Sequence, residues 1–510
     1  MKFHSVDNLE KFGRAFAVFT CLEKQLVHGE PQGNTAMYEA VRFLMGKLPG
    51  AGGPAAAGQH SSIFSHQLLR WLKCSGLVEV QATTRFEIVY AGFLVREQKS
   101  PTLERNGAMP MELQPALMQV LDAHKDDILT FSQDLIRIAS ENPPGNHYRE
   151  CMNRICLELD RLGFPHEVVE TPGHPDHPRY NVLSFWGNEK RTLYFHGHYD
   201  VVPAQSREQF NSRVENGRLY GRGSADMKSG LAAMIYATYL LKALKTPLLG
   251  RIGLCIVADE ETGGQGGSRY LEQMGLLGQD ALAMLTPEPT SGVIWNANRG
   301  AITLQITVKG KSAHVGLQHQ GINAFEQMLQ VARALQTLKA EVEKRKSDYR
   351  VVPQAAAHSI LMLGGRVEGG TNFNVVPEAC TFTVERRFNP EEDLETEKTR
   401  LFDLLERLQR QGIQLEIEVL QEADSSGFSE DHPVARAIAE TIQAVIGERP
   451  AFEMCPGLLE TRWYARKGIP AFAYGPGFLE VAHGPNESID IERIYQHTLL
   501  YALVAARLLS

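Results

Sequence analysis

From about residue 112 onward, helix-length amphipathic stretches alternate with short apolar runs. NVLSFWG, TLYFHGH, IGLCIVAD and ALAML have the length and composition of strands, and helical patterns separate them. Each such strand must bury its faces under helices. The alternation therefore predicts an α/β sandwich with a central, mostly parallel sheet. A long helix over Leu117–Ser140 and a second in ECMNRICLELDRLG come before the first central strand.

A different unit interrupts this pattern over 299–415. It reads strand (AITLQITVKG), helix (NAFEQMLQVARALQTLKAEVEK), strand (SILMLGGRVEG), strand (ACTFTVERRF), helix (EEDLETEKTRLFDLLERLQRQ) and strand (QLEIEVL). The order β-α-β-β-α-β is ferredoxin-like. The α/β domain is thus expected in two pieces, 112–298 and 416–510. Residues 1–110 form a further unit: two helical patterns, the spacer GAGGPAAAGQ, then SHQLLRWLKCSGLVEV and the strand RFEIVYAG, a winged-helix-like order. Its 12 basic and 9 acidic residues are too nearly balanced to argue for nucleic-acid contact. Packing or dimerisation is the reading we favour for it, with REQKSPTLERNGAMPMELQP as a linker.

The length of 510 residues requires more than one core. A net charge of −8 gives no reason to expect a nucleic-acid or membrane-surface binder. The N-terminus has no apolar signal core. The most apolar helix candidate, LAAMIYATYLLKAL, is broken by Lys242 and too short to span a bilayer. Seven cysteines, an odd number, lack C-x-x-C spacing. They read as free thiols in a reducing cytoplasm.

Chemistry gathers where strands end. In YFHGHYDVVP, His196, His198 and Asp200 alternate and so share one face. Asp226 lies in GRGSADMKSG, between a glycine-rich turn and an apolar helix. Asp259, Glu260 and Glu261 emerge together from the strand IVAD. Glu288 follows the next strand in LTPEPT, and His483 lies in VAHGPNESI. Adjacent carboxylates repel, and a run that leaves a buried strand calls for a cation to neutralise it. One histidine, then acids, then a second histidine is the ligand set of a two-metal site, in which a further carboxylate takes a proton from water.

GHYDVVP, GRGSADMKSG, DEETGG, EP, GKSAH, NVVP and HGPNE occur in an order that resembles the di-zinc metallopeptidase family of acetylornithine deacetylase, succinyl-diaminopimelate desuccinylase and the glutamate carboxypeptidases. The likeness runs from about residue 112 to the end. It implies that the inserted unit is a lid and dimerisation domain, that the protein is a homodimer, and that it holds two Zn2+, with Co2+ or Mn2+ as substitutes. His198 would bind one metal with Asp200 orienting it. Asp226 would bridge the two metals, Glu288 would complete the first, and Glu261 and His483 the second. Glu260 would be the general base, Asp259 structural, and His196 a packing neighbour. His314 would reach across the dimer to the scissile carbonyl, and Asn374, Arg387 and Arg462 would hold substrate. Two departures stand out: Leu458 and Leu459 in CPGLLETRWYARKG occupy positions where small polar residues are common, and Gln318 stands where proline is frequent.

The implied activity is hydrolysis of the amide bond of N-acyl-L-amino acids. The alternatives are a carboxypeptidase or dipeptidase with the same site, or a regulatory protein with a hydrolase-like sensor domain.

Overall fold

The computed structural model describes residues 112–510 and the backbone of a short antiparallel hairpin, Val89–Tyr90 with Phe93–Leu94. Val89–Tyr90 falls within the expected strand RFEIVYAG. The other elements expected over 1–110, and the linker up to Met111, lie outside the described residues; the last two residues of the expected linker, Gln114 and Pro115, instead open the helix Gln114–Arg137. The chain divides into two units at Leu103/Glu104, and the architecture below is that of the second.

Nine strands form the central sheet, in the order Ser426–Gly427, Ile294–Asn298, Ala471–Ala473, Ala281–Thr286, Thr192–His198, Arg251–Val257, Arg179–Gly187 and His166–Thr171; Phe452–Cys455 also pairs with Ile294–Asn298. The sheet is mixed. Its middle is parallel as expected, since Thr192–His198 runs parallel to both Arg251–Val257 and Ala281–Thr286, and Ala471–Ala473 continues that sense. Both flanks are antiparallel: Arg179–Gly187 and His166–Thr171 on one side, and Ile294–Asn298, which runs antiparallel to Ala471–Ala473 and to Ser426–Gly427, on the other.

Every residue of Thr192–His198 is buried because both faces are covered. Leu193 and Phe195 join the core made with the helices Gln114–Arg137, Lys228–Ala243, Pro433–Ile446 and Ile491–Leu508. Tyr194 faces the opposite layer, with Leu271, Leu277, Trp463 and Tyr464. The helix Lys228–Ala243 is apolar around most of its surface and correspondingly buried. Its approach to the sheet depends on Gly230, where a Cβ would lie 2.7 Å from Cβ of Pro287 and 2.8 Å from its oxygen. That close packing sets the helix start against the turn that carries Glu288.

The inserted unit is a four-stranded antiparallel sheet in the order Ile360–Gly369, Ala379–Phe388, Gly300–Lys309, Gln414–Ala423, with the helices Ala324–Val342 and Leu394–Arg410. This is the ferredoxin-like arrangement. Ala379–Phe388 buries every second side chain, so one sheet face packs on the helices and builds a core separate from that of the α/β domain. Both helices begin at a side-chain cap: Asn323 accepts the N–H of Phe325 and Glu326, and Asp393 that of Thr396. Among the described residues, no helix is long and apolar enough to cross a membrane.

Candidate metal centre

The parallel strands deliver their carboxyl ends to one edge, where α/β sheets hold ligands. His198 ends Thr192–His198, Asp259 and Glu260 follow Arg251–Val257, and Glu288 follows Ala281–Thr286. Among the described residues, two groups of side chains stand close enough to hold a cation: His198, Asp226 and Glu288, and Asp226, Glu261 and His483. Asp226 belongs to both. Its Oδ1 lies 3.4 Å from Nε2 of His198, and its Oδ2 lies 3.2 Å from Nε2 of His483, which is also 3.3 Å from Oε2 of Glu261.

Whether a site suits a cation can be tested by asking which of its buried polar atoms have no protein partner. Among the described residues, Nε2 of His198, Oδ1 of Asp226 and Oε1 of Glu288 are buried and accept or donate no hydrogen bond. All three belong to the first group. One imidazole nitrogen and carboxylate oxygens are a donor set suited to zinc and its neighbours. The residues fit a pair of divalent cations.

The electrostatics agree. Burial, with Asp226 and Glu260 nearby, pushes Glu288 well above the usual carboxylate range. Burial, aided by the carboxylates of Glu460 and Glu261 and opposed by His198, pushes Glu260 up to about 8. Bonds to Asp226 and Glu261 raise His483 to about 10. Burial disfavours charge on His198, but Asp200 and Asp226 outweigh it and raise the imidazole well above its ordinary value. A divalent cation held there would favour the ionised forms of Glu260 and Glu288.

Supporting contacts fix the candidate ligands. Nδ1 of His198 lies 3.0 Å from the main-chain oxygen of Asp200. The Asp200 carboxylate accepts the N–H of Glu260 at 3.2 Å and of Glu261 at 3.1 Å. Asp259 turns away, accepting from Gly266 N–H and pairing with Arg179. His196 shares the face of His198 but sits behind it, 3.1 Å from both Tyr464 Oη and Glu460 Oε2.

Two supporting residues carry no role in the sequence reading. Asn142, in ENPPG, donates to Asp200 at 2.8 Å. Glu487, in HGPNE, accepts the N–H of Ala225 and Asp226 and pairs with Arg222 at 2.5 Å, while Arg222 also donates to the main-chain oxygen of His483. This buried pair ties the Asp226 turn to the His483 loop. Its only sequence signal is that Glu487 sits in a motif beside a ligand.

The remaining candidates stand apart from the two cation groups. His314 is exposed on the inserted unit, and its Nδ1 accepts the N–H of Gly316 at 3.1 Å. That acceptor role leaves Nε2 as the protonated, donating nitrogen. Asn374 is half-buried on the neighbouring segment, where its main-chain oxygen accepts from Val315. Arg387 pairs with Glu385. Arg462 is buried, and donates to the main-chain oxygens of Leu459 and Gly263.

Residues 194–507 match the model of peptidase family M20/M25/M40. The chain is 25% identical over 413 residues to an N-formyl-4-amino-5-aminomethyl-2-methylpyrimidine deformylase of Bacillus subtilis (strain 168), covering 75% of this chain and 95% of the relative. It is 28% identical over 398 residues to a succinyl-diaminopimelate desuccinylase of Methylobacterium radiotolerans, covering 75% and 97%. Among solved structures it resembles the M20 family metallo-carboxypeptidase Sso-CP2 from Sulfolobus solfataricus, with a TM-score of 0.61 and 20% identity over 75% of this chain and 99% of that one.

Proposed function

Since this chain belongs to peptidase family M20/M25/M40 and is a metal-dependent hydrolase, we propose that it cleaves the amide bond of N-acyl-L-amino acids. The observation that carries this reading is the shared carboxylate of Asp226 between two ligand groups, with three buried donor atoms left unpartnered. His198, Asp226 and Glu288 would hold one cation, and Asp226, Glu261 and His483 the other, zinc being the natural choice for these donors. When bound, the two cations supply Lewis acidity toward the attacking water and the amide carbonyl.

The chain's own groups do the rest. Glu260 takes a proton from the water and returns it to the leaving nitrogen. Asp200 fixes the tautomer of His198, so that Nε2 faces the cation group. His314, with its proton on Nε2, donates to the developing oxyanion of a partner protomer's substrate. Asn374 and Arg387 are proposed to hold the substrate, the arginine through its carboxylate, whereas the buried guanidinium of Arg462 is engaged with the main-chain oxygens of Leu459 and Gly263. A homodimer is supported by the half-exposed apolar side chains of Val315, Leu317, Ile322, Phe325 and Leu329 beside His314. A cytoplasmic location is supported by five free thiols among the described residues.

The test is elemental analysis of bound metal, together with hydrolysis of N-formyl, N-acetyl and N-succinyl amino acids and of dipeptides, for the natural chain and Glu260→Ala. Two zinc per chain in both proteins, with turnover of acyl amino acids lost only in the variant, supports the reading. Turnover of dipeptides alone would replace the acyl substrate with a peptide. Absence of both metal and turnover after zinc is added would overturn it.

A further inference from the structure

Three consecutive residues, Glu460, Thr461 and Arg462, each reach a different part of the molecule. They lie at the start of the short helix Thr461–Ala465, where successive side chains point about 100° apart. All three are nearly inaccessible to solvent.

Arg462 donates from Nη2 to the main-chain oxygen of Gly263 at 3.1 Å. Gly263 and Gly264 close the turn that carries Glu260 and Glu261. Gly264 has φ +72°, and a Cβ there would lie 2.9 Å from Oε1 of Glu460 and 3.7 Å from Nη2 of Arg462. The turn therefore rests directly on this pair of side chains. Glu460 is itself fixed by His196 and Trp463 Nε1, each at 3.1 Å, and by the Ser268 hydroxyl.

Thr461 faces the other way. Its hydroxyl donates to Oδ1 of Asn298 at 3.0 Å and lies 3.3 Å from Oγ of Ser426, which also bonds Asn298. Asn298 ends the last strand before the inserted unit, Ser426 begins the strand that follows it, and the two residues are paired in the sheet. They are the two chain crossings between the α/β domain and the unit that carries His314.

We propose that Glu460–Thr461–Arg462 is a positioning element that registers the Glu260–Glu261 turn against the two strands crossing into the lid. The proposal rests on the roles given above to Glu260 and Glu261. Its physical basis is that a buried, hydrogen-bonded polar network has few alternative arrangements, so a shift at the crossings reaches the turn. Arg462 then acts through the turn and not on substrate.

Two measurements test it. In steady-state kinetics, Thr461→Val should lower kcat about tenfold or more with KM little changed, because a misplaced base costs rate before it costs binding. Thr461→Ser should restore kcat, since only the hydroxyl is required. In zinc titration against a chromogenic chelator, Arg462→Met should weaken the second of two binding steps about tenfold through Glu261, leaving the first unchanged. If the natural chain turned over no substrate, the functional proposal would fail and the titration would still decide this one. Natural kcat in Thr461→Val with natural zinc affinities in Arg462→Met would overturn the proposal. So would loss of fold in Arg462→Met and in the milder Arg462→Lys, because the arginine would then be merely structural.

Discussion

His198 and Asp200 meet twice: Nδ1 of the imidazole lies 3.0 Å from the main-chain oxygen of Asp200 and 3.4 Å from its Oδ1. The same carboxylate accepts the main-chain N–H of Glu260 and Glu261, so one buried acid orients the proposed ligand His198 and holds the turn bearing the proposed base Glu260. Asn in its place keeps the shape but offers only one oxygen. Asp200→Asn should fold and lose about 10–100-fold in zinc affinity or activity. Equal zinc affinity and activity, measured by chelator competition and initial rates, would rule out the orienting role.

Metal removal should reach the fold as well as the chemistry. The carboxylates of Asp226, Glu261 and Glu288 crowd together, those of Asp226 and Glu288 buried, and a cation between them would stabilise the folded chain. Zinc at a thousand times its Kd should stabilise the chain by about 4 kcal/mol. Thermal unfolding with chelator and with added zinc checks this, and coincident transitions would contradict a cation site.

The pair Arg222–Glu487 is buried on both sides at 2.5 Å. Removing one partner leaves the other charge without compensation, at a cost of about 3–5 kcal/mol. Arg222→Met should therefore unfold at clearly lower denaturant than the natural chain. The double variant Arg222→Met, Glu487→Gln should recover part of the loss. A single variant as stable as the natural chain would show that the pair does not tie the two loops together.

His497 should make the α/β domain acid-sensitive. Burial, with the Arg493 guanidinium beside it, holds this imidazole down at about 3. In the unfolded chain it titrates near ~6.5. Between those values the unfolded state carries a proton that the native state refuses, so stability rises with pH across the window and falls as pH drops. The slope from this group is at most about 1.4 kcal/mol per pH unit. Melting curves of His497→Gln should fall less steeply with acidification than those of the natural chain; parallel curves would remove His497 from the account.

The role of His314 across a dimer predicts complementation. Mixing His314→Ala with Glu260→Ala should create dimers in which one site has an intact base and an intact partner histidine. Up to about half the sites in a mixed dimer would be sound, on the principle that catalytic groups must all reach one site. Mixed dimers, verified by mass, that remain inactive would refute action in trans.

Much of the candidate site was legible because most of its proposed ligands are tied to a local pattern. His198, Glu260, Glu261 and Glu288 each follow an apolar run, and a strand's period of two fixes which face its last residue takes. Asp226 was found by the glycine-rich turn before its helix. The ferredoxin-like order of the inserted unit was legible for the same reason, since it needs only element type and sequence order. Strand direction on the flanks of the central sheet was not, because alternation is the same in parallel and antiparallel strands. The meeting of Asn142 with Asp200 and of Thr461 with Asn298 left no signature either, and that of Arg222 with Glu487 only the place of Glu487 in HGPNE.

The sequence by itself determined the donor chemistry and the elements that carry it, since these depend on residue type and neighbours a few positions away. Only the tertiary structure decided that Asp226 is shared between His198 and His483, and that Glu460, Thr461 and Arg462 join the base turn to the lid crossings. Those contacts join segments far apart in the chain, and they form because buried polar groups must find partners wherever the packed core places them.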